Sequence, residues 1–242
     1  MKNGWIWKIP VQGRFGCGYV FDSDYADDEE IKKEIREHFG EVEIPRSFSF
    51  KAGYYKTPWV KNCMSVGLSS GFIEPLEATS IWVLILSLNL LLNNYSSELF
   101  NDDNFSEECR LEFNNQIVNI NDQVKDFIQL HYLTKRNDSP FWKEFRTKNK
   151  ISNRILNLEK CRTIEELRNY TLKNFELFSP YVFAAVNLIN PEIYIRKLMT
   201  FSNDQLMEIS KNKESYISSL KNFVTYNAID HYQFLNHINK IA

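Results

Sequence analysis

The sequence predicts an α+β protein, a strand-rich first third feeding a helical remainder, with the join near residue 95. Three observations predict it. Residues 4–68 hold short runs of alternating apolar and polar side chains between glycine-rich turns, the two-residue period of strands. Residues 77–92 switch to the helical period. Beyond about residue 97 strand signals are few and helical ones repeat, punctuated by Pro140, Pro180 and Pro191. The expected domains are residues 1–95 and 96–242.

The stretch "GWIWKIP" reads as the first strand, with Trp5 and Trp7 on one face about 7 Å apart. "GRFGCGYVFD" reads as the second. Between Asp27 and Phe39 the spacing of Ile31, Ile35 and Phe39 predicts a helix, and its acidic first turn suits the helix dipole. "RSFSFKAGYY" alternates again, placing Phe48 and Phe50 on one face, and "NCMSVGL" reads as a short buried strand. From Glu77 onward, Ile81, Leu84, Ile85, Leu88, Leu91 and Leu92 keep the helical period, while Trp82, Val83, Leu86 and Leu90 make the opposite side apolar too. A helix apolar nearly all round belongs in an interior. Further helices are expected over Leu111–Leu133, Ile164–Phe175, Tyr181–Leu188, Pro191–Met199 and Asp204–His237.

Composition narrows the function. With 242 residues, 43% of them hydrophobic, the chain can fill a real core. Charged residues nearly cancel, to a net −2, so no basic field attracts nucleic acid or an anionic membrane, and neither partner is expected. The longest apolar run, Ile81 to Leu92, falls short of the roughly 18 residues that span a bilayer, and no signal peptide is visible. A soluble, cytoplasmic chain is expected. Cys17, Cys63, Cys109 and Cys161 form no CxxC pair and read as reduced thiols. His38, His231 and His237 lack ligand spacing, and no metal is expected.

One segment carries chemistry. "GLSSGFIEPLEATSI", Gly67 to Ile81, leads from a strand into the apolar helix. Gly67 and Gly71 let backbone approach a ligand closely. Pro75 fixes the chain, and Glu77 to Ser80 would form the first helical turn, whose free N–H groups point outward and attract an anion. An acidic residue there is also an ordinary way to stabilise the dipole.

Taken in order, "GWIWKIP", "NCMSVGLSSGFIEPLEATSI" and "DFIQLHYLTKRNDSPFW" strongly resemble the flavin-dependent tryptophan halogenase family, over essentially the whole chain. The resemblance implies a truncated α/β FAD-binding module over the first domain, followed by a mainly helical substrate domain. It implies reduced FAD supplied by a flavin reductase, and chloride or bromide oxidised to hypohalous acid that halogenates an aromatic small molecule. By the same resemblance, Trp5 and Trp7 wall the substrate off from the flavin, and Glu77 is the catalytic carboxylate. The backbone amides of Thr79 and Ser80 hold the halide. Leu68 and Ile81 lie against the isoalloxazine ring, and Phe141 and Trp142 sandwich the substrate.

Two departures qualify what is implied. Asn137 stands where enzymes acting on free tryptophan have an acidic residue, and Leu130 and His131 replace the flanking tyrosines. A different aromatic substrate, indole- or phenol-like, is therefore expected. The GxGxxG fingerprint and the catalytic lysine of the family are absent as well. The expectation is a C-terminal portion that is inactive without the missing half, supplied in cis or as a separate N-terminal halogenase polypeptide. Its strand edges and apolar surface, left bare, would make the isolated chain poorly soluble or a homo-oligomer. The competing readings are a non-catalytic helical binding or assembly fragment and a simple flavin monooxygenase. Retention of Glu77, Trp5, Trp7, Phe141 and Trp142 together argues against the first, and the tryptophan wall against the second.

Overall fold

The structure, a computed structural model, describes residues 1–95, 106–175, 177–178 and 202–227. The helices expected over Tyr181–Leu188 and Pro191–Met199, and the last one beyond residue 227, lie outside the described residues. The chain is mixed α/β, with short strands first and long helices after.

β1 (Gly4–Val11) and β2 (Arg14–Phe21) form a two-stranded hairpin, as their alternation predicts. The Trp7 ring lies across Gly18, where a Cβ atom would sit 1.9 Å from the indole, so only glycine fits. α1 (Asp28–Phe39) starts in a capping box. Asp27 accepts from the N–H groups of Glu29 and Glu30, and Glu30 accepts from Asp27.

Three departures follow in the next fifty residues. Residues 44–52 form no strand, and Phe48 is 79% exposed. Alternation marks a strand only where a neighbour takes up its ladder of hydrogen bonds. What remains is two minimal antiparallel pairs, β3 (Gly53–Tyr54) with β6 (Gly71–Phe72), and β4 (Trp59–Val60) with β5 (Cys63–Met64). The second departure is the helix α2 (Thr79–Asn94), which is not buried all round. Ile81, Ile85, Leu88 and Leu92 share one face and are 64, 51, 41 and 57% exposed. Its other side packs inward, with Trp82 edge-on to Phe178 at 5.3 Å. The third concerns length. A short 3-10 turn at Leu76–Ala78 precedes the apolar helix across a kink at Glu77, and counted together the span Leu76–Asn94 is long and apolar enough to cross a membrane, by length and composition only.

The remaining described helices are α3 (Glu107–Tyr132), α4 (Pro140–Lys148), α5 (Asn153–Leu158), α6 (Ile164–Asn174) and α7 (Asn203–Asn227). Pro140 opens α4 rather than merely interrupting the chain, since proline at the first helical position sacrifices no hydrogen bond. One core gathers Trp59, Tyr95, Phe113 and Ile117. The ring of Trp59 meets Phe113 edge to face at 5.4 Å, and Phe113 meets Tyr95 at 5.8 Å. Asn114 completes this core. Its side chain accepts from the N–H of Trp59 at 2.8 Å and donates to the Trp59 carbonyl at 2.9 Å.

Two compact units result. One comprises Met1–Gly4 and Val20–Ile189, the other Trp5–Tyr19 and Asn190–Ala242. Trp59 and Tyr95 share a core with Phe113 and Ile117, which lie on the other side of residues 95 and 96.

Candidate functional site

Leaving β6, the chain reaches Pro75 at φ −72° and then turns through two left-handed residues, Glu77 (φ 61°, ψ 11°) and Ala78 (φ 51°, ψ 28°). Neither is glycine, and each such residue costs roughly 1–2 kcal/mol. Strain of this kind persists only where its surroundings enforce it. Glu77 therefore sits in the corner before the helix rather than in its first turn, and α2 begins at Thr79. No side chain caps that start. The leading amides of α2 are left for another partner, at the positive end of the helix dipole.

A cavity of about 20 Å³ opens beside them, lined by Gly67, Ser70, Gly71, Thr79, Ser80 and Asn121 among others. One water needs roughly 10–15 Å³ by this measure, so the space suits a single small guest. Gly71 is required for packing, since a Cβ there would come within 2.4 Å of the Tyr54 side chain.

Both carboxylates of the EPLE segment meet the last turn of α3. His131 is 7% exposed, and its Nδ1 lies 2.9 Å from the Phe127 carbonyl. A carbonyl only accepts, so Nδ1 carries the hydrogen and Nε2 faces outward. That Nε2 is 3.7 Å from Oε1 of Glu77, whose side chain is half exposed. The next residue, Tyr132, donates its hydroxyl to Glu74 at 2.6 Å. Burial pushes the Glu74 carboxyl up to about 7, against the opposing pull of that hydrogen bond. Burial and the adjacent Glu74 also raise the Tyr132 hydroxyl well above its ordinary range.

The Tyr132 ring stacks on Phe145 at 5.0 Å and lies near-parallel to Trp142 at 6.1 Å. Phe141 and Trp142 are both buried in this cluster. They meet edge to face at 4.9 Å and 77°, not as parallel plates across a slot. The Trp142 indole N–H donates to the Met1 carbonyl at 2.9 Å, and the Ser139 hydroxyl to that of Lys2 at 2.5 Å. Arg136 bridges Asp138 with two hydrogen bonds, holding that carboxyl down at about 2, and its guanidinium lies 4.5 Å above Trp142.

The structure thus brings Glu77, Thr79 and Ser80 to one corner. Leu130 is buried in the interior and Asn137 is exposed. Leu68 and Ile81 are 75 and 64% exposed. Trp5 and Trp7 are half-buried and belong to the other compact unit. Sequence reasoning missed the grip of Tyr132 on Glu74 and the approach of His131 to Glu77. The available signal was two carboxylates three residues apart in one motif and an adjacent His-Tyr pair in another. Among the described residues no three His, Cys, Asp or Glu gather at metal-binding distance.

The residues present fit a flavin only in part. Leu68 and Ile81 offer exposed apolar surface to a ring, but the ion-sized cavity cannot admit one, and the sequence has no GxGxxG turn for the phosphates.

This fold is that of flavin-dependent halogenases. The crystal structure of the tryptophan 6-halogenase SttH from Streptomyces toxytricini matches at a TM-score of 0.76 and 25% identity, covering 98% of this chain and 46% of that one. BrvH, a flavin-dependent halogenase from Brevundimonas sp. BAL3, matches at 0.72 and 27%, covering 98% and 47%. By sequence, the tryptophan 7-halogenase RebH from Lentzea aerocolonigenes is 39% identical over 147 residues, 59% of this chain and 27% of RebH. The chain belongs to the tryptophan halogenase family, whose model matches residues 1–198. It spans just under half the length of these solved structures and about a quarter of RebH.

Proposed function

We propose that the chain is the C-terminal portion of an FAD-dependent halogenase that acts on an indole- or phenol-like aromatic through hypohalous acid. One observation carries this reading: the uncapped start of α2 opens on an ion-sized cavity lined by Thr79 and Ser80, with the Glu77 carboxylate in the adjoining turn. The Thr79 and Ser80 amides bind chloride or bromide there. When bound, FAD, reduced by a separate reductase, supplies with oxygen the oxidising power that converts halide to hypohalous acid. Glu77 accepts the proton that the aromatic ring loses as it is halogenated, or orients the halogen being delivered. Phe141 and Trp142 shape the substrate side, and Trp5 and Trp7 exclude substrate from the flavin. Asn137 carries no charge to balance an ammonium, which favours a substrate without one.

The remaining portion of the halogenase fold supplies the flavin phosphate cradle and the lysine. It docks on the exposed stripe of α2, which starts at Ile81 beside the halide seat. Crystals soaked in bromide test the reading. Anomalous signal against the Thr79–Ser80 backbone is expected, and its absence at saturating bromide removes the halide seat. Once the protein is completed with the missing portion, indole should bind more tightly than free tryptophan, and the reverse order refutes the substrate assignment.

A further inference from the structure

The strain in the Glu77–Ala78 corner needs something to hold it, and the helix α3 supplies two contacts at its last turn. Glu74 lies three residues before Glu77 and receives the Tyr132 hydroxyl at 2.6 Å. Glu77 lies within the corner and faces His131 Nε2 at 3.7 Å. Thr79, just past the corner, is 3% exposed and fixed by packing. The turn is therefore pinned before and after its strained residues, by the Tyr132 hydroxyl and by the packing of Thr79. One hydrogen bond and one close approach come from consecutive residues, and both side chains are well anchored. Tyr132 is wedged between stacked aromatic rings, and His131 is tied to the Phe127 carbonyl on its own helix.

We propose that the last turn of α3 is a clamp that keeps the corner in its anion-presenting shape, with Glu74 and Tyr132 as positioning residues that act through the Thr79 and Ser80 amides. The inference rests on the halide-seat reading for its functional meaning, but its structural content stands apart from it. Glu74 does not touch the guest. Its work is to accept one hydrogen bond, which an amide oxygen does equally well and an alkyl group cannot do.

The test uses the full chain and three variants, Tyr132→Phe, Glu74→Leu and Glu74→Gln. Each is titrated with sodium bromide while the Thr79 and Ser80 backbone amide resonances are followed by NMR. Thermal melts run alongside confirm that each variant is folded. Tyr132→Phe and Glu74→Leu should move both amide resonances before any bromide is added and weaken bromide about tenfold, the scale of one lost hydrogen bond. Glu74→Gln should keep both properties near wild type, although it removes the ionisable group. A purely structural pair would change the melting temperature and leave the amides and the bromide affinity alone. The clamp is overturned if Tyr132→Phe leaves both at wild-type values, or if Glu74→Gln does as much damage as Glu74→Leu. Failure of the wild-type chain to bind bromide would remove the halide seat instead. The clamp would then stand or fall on the amide resonances alone.

Discussion

Glu74 binds a proton more tightly in the folded chain than in the unfolded one, because burial raises its carboxyl from 4.5 to about 7. The folded state is therefore favoured below pH 4.5, and that advantage is lost as the pH climbs through about 7. The expected loss is on the order of 3 kcal/mol, measured by urea unfolding at a series of pH values, and Glu74→Gln should flatten it. A wild-type profile flat from pH 4.5 to 8 would contradict the assignment. Asn114 makes a second claim at this scale. Its amide serves both the N–H and the carbonyl of Trp59, so Asn114→Leu strips two buried partners and should cost roughly 2–4 kcal/mol by the same measurement. The sequence showed Glu77, Thr79 and Ser80 as a group, because a glycine-rich turn running into an apolar helix is a local pattern. It could not show the left-handed turn at Glu77 and Ala78. Neither residue type favours that conformation, and the contacts that enforce it come from more than fifty residues away.

Among elements, helices were more legible than strands. α1 and α3 follow from apolar spacing and caps that lie within the segment itself, with Asp27 and Ser106 as the caps. Residues 44–52 alternate as well as β1 does, yet form no strand, because pairing depends on a partner that the segment does not contain. Asp27→Ala removes the cap from α1 and should cost about 1 kcal/mol, visible as fraying of that helix in amide exchange. The joint between α3 and α5 is stronger. Asp126, almost fully buried, accepts from Arg154 at 2.7 Å, and Arg154 keeps about a quarter of its side chain in solvent. Asp126→Ala leaves the guanidinium without its buried carboxylate and should destabilise the chain by about 3 kcal/mol in urea. A change under 0.5 kcal/mol would show that solvent already screens the pair.

For the molecule as a whole, the bare face of α2 sets the behaviour in solution. Ile81, Ile85, Leu88 and Leu92 extend over some 16 Å of helix. The 3-10 turn at Gly67–Ser69 packs against the same helix and leaves Leu68 exposed beside it. Alone, the chain should self-associate with rising concentration in analytical ultracentrifugation, and Leu88→Lys should shift it toward monomer. Identical sedimentation of the two proteins would remove this face as the cause. Composition correctly marked α2 as apolar on every side, but it could not say which side packs inward and which stays exposed. The long helix α3 has a different consequence. It touches Trp59 through Asn114 near its beginning and the carboxylates through His131 and Tyr132 at its end, with about 27 Å of rigid rod between them. On such a lever arm, a tilt of about 2° at the Trp59 end swings the far tip by about 1 Å, the scale of misplacement that chemistry penalises. Repacking around Trp59 can thus shift the contacts to Glu74 and Glu77 without any substitution near them.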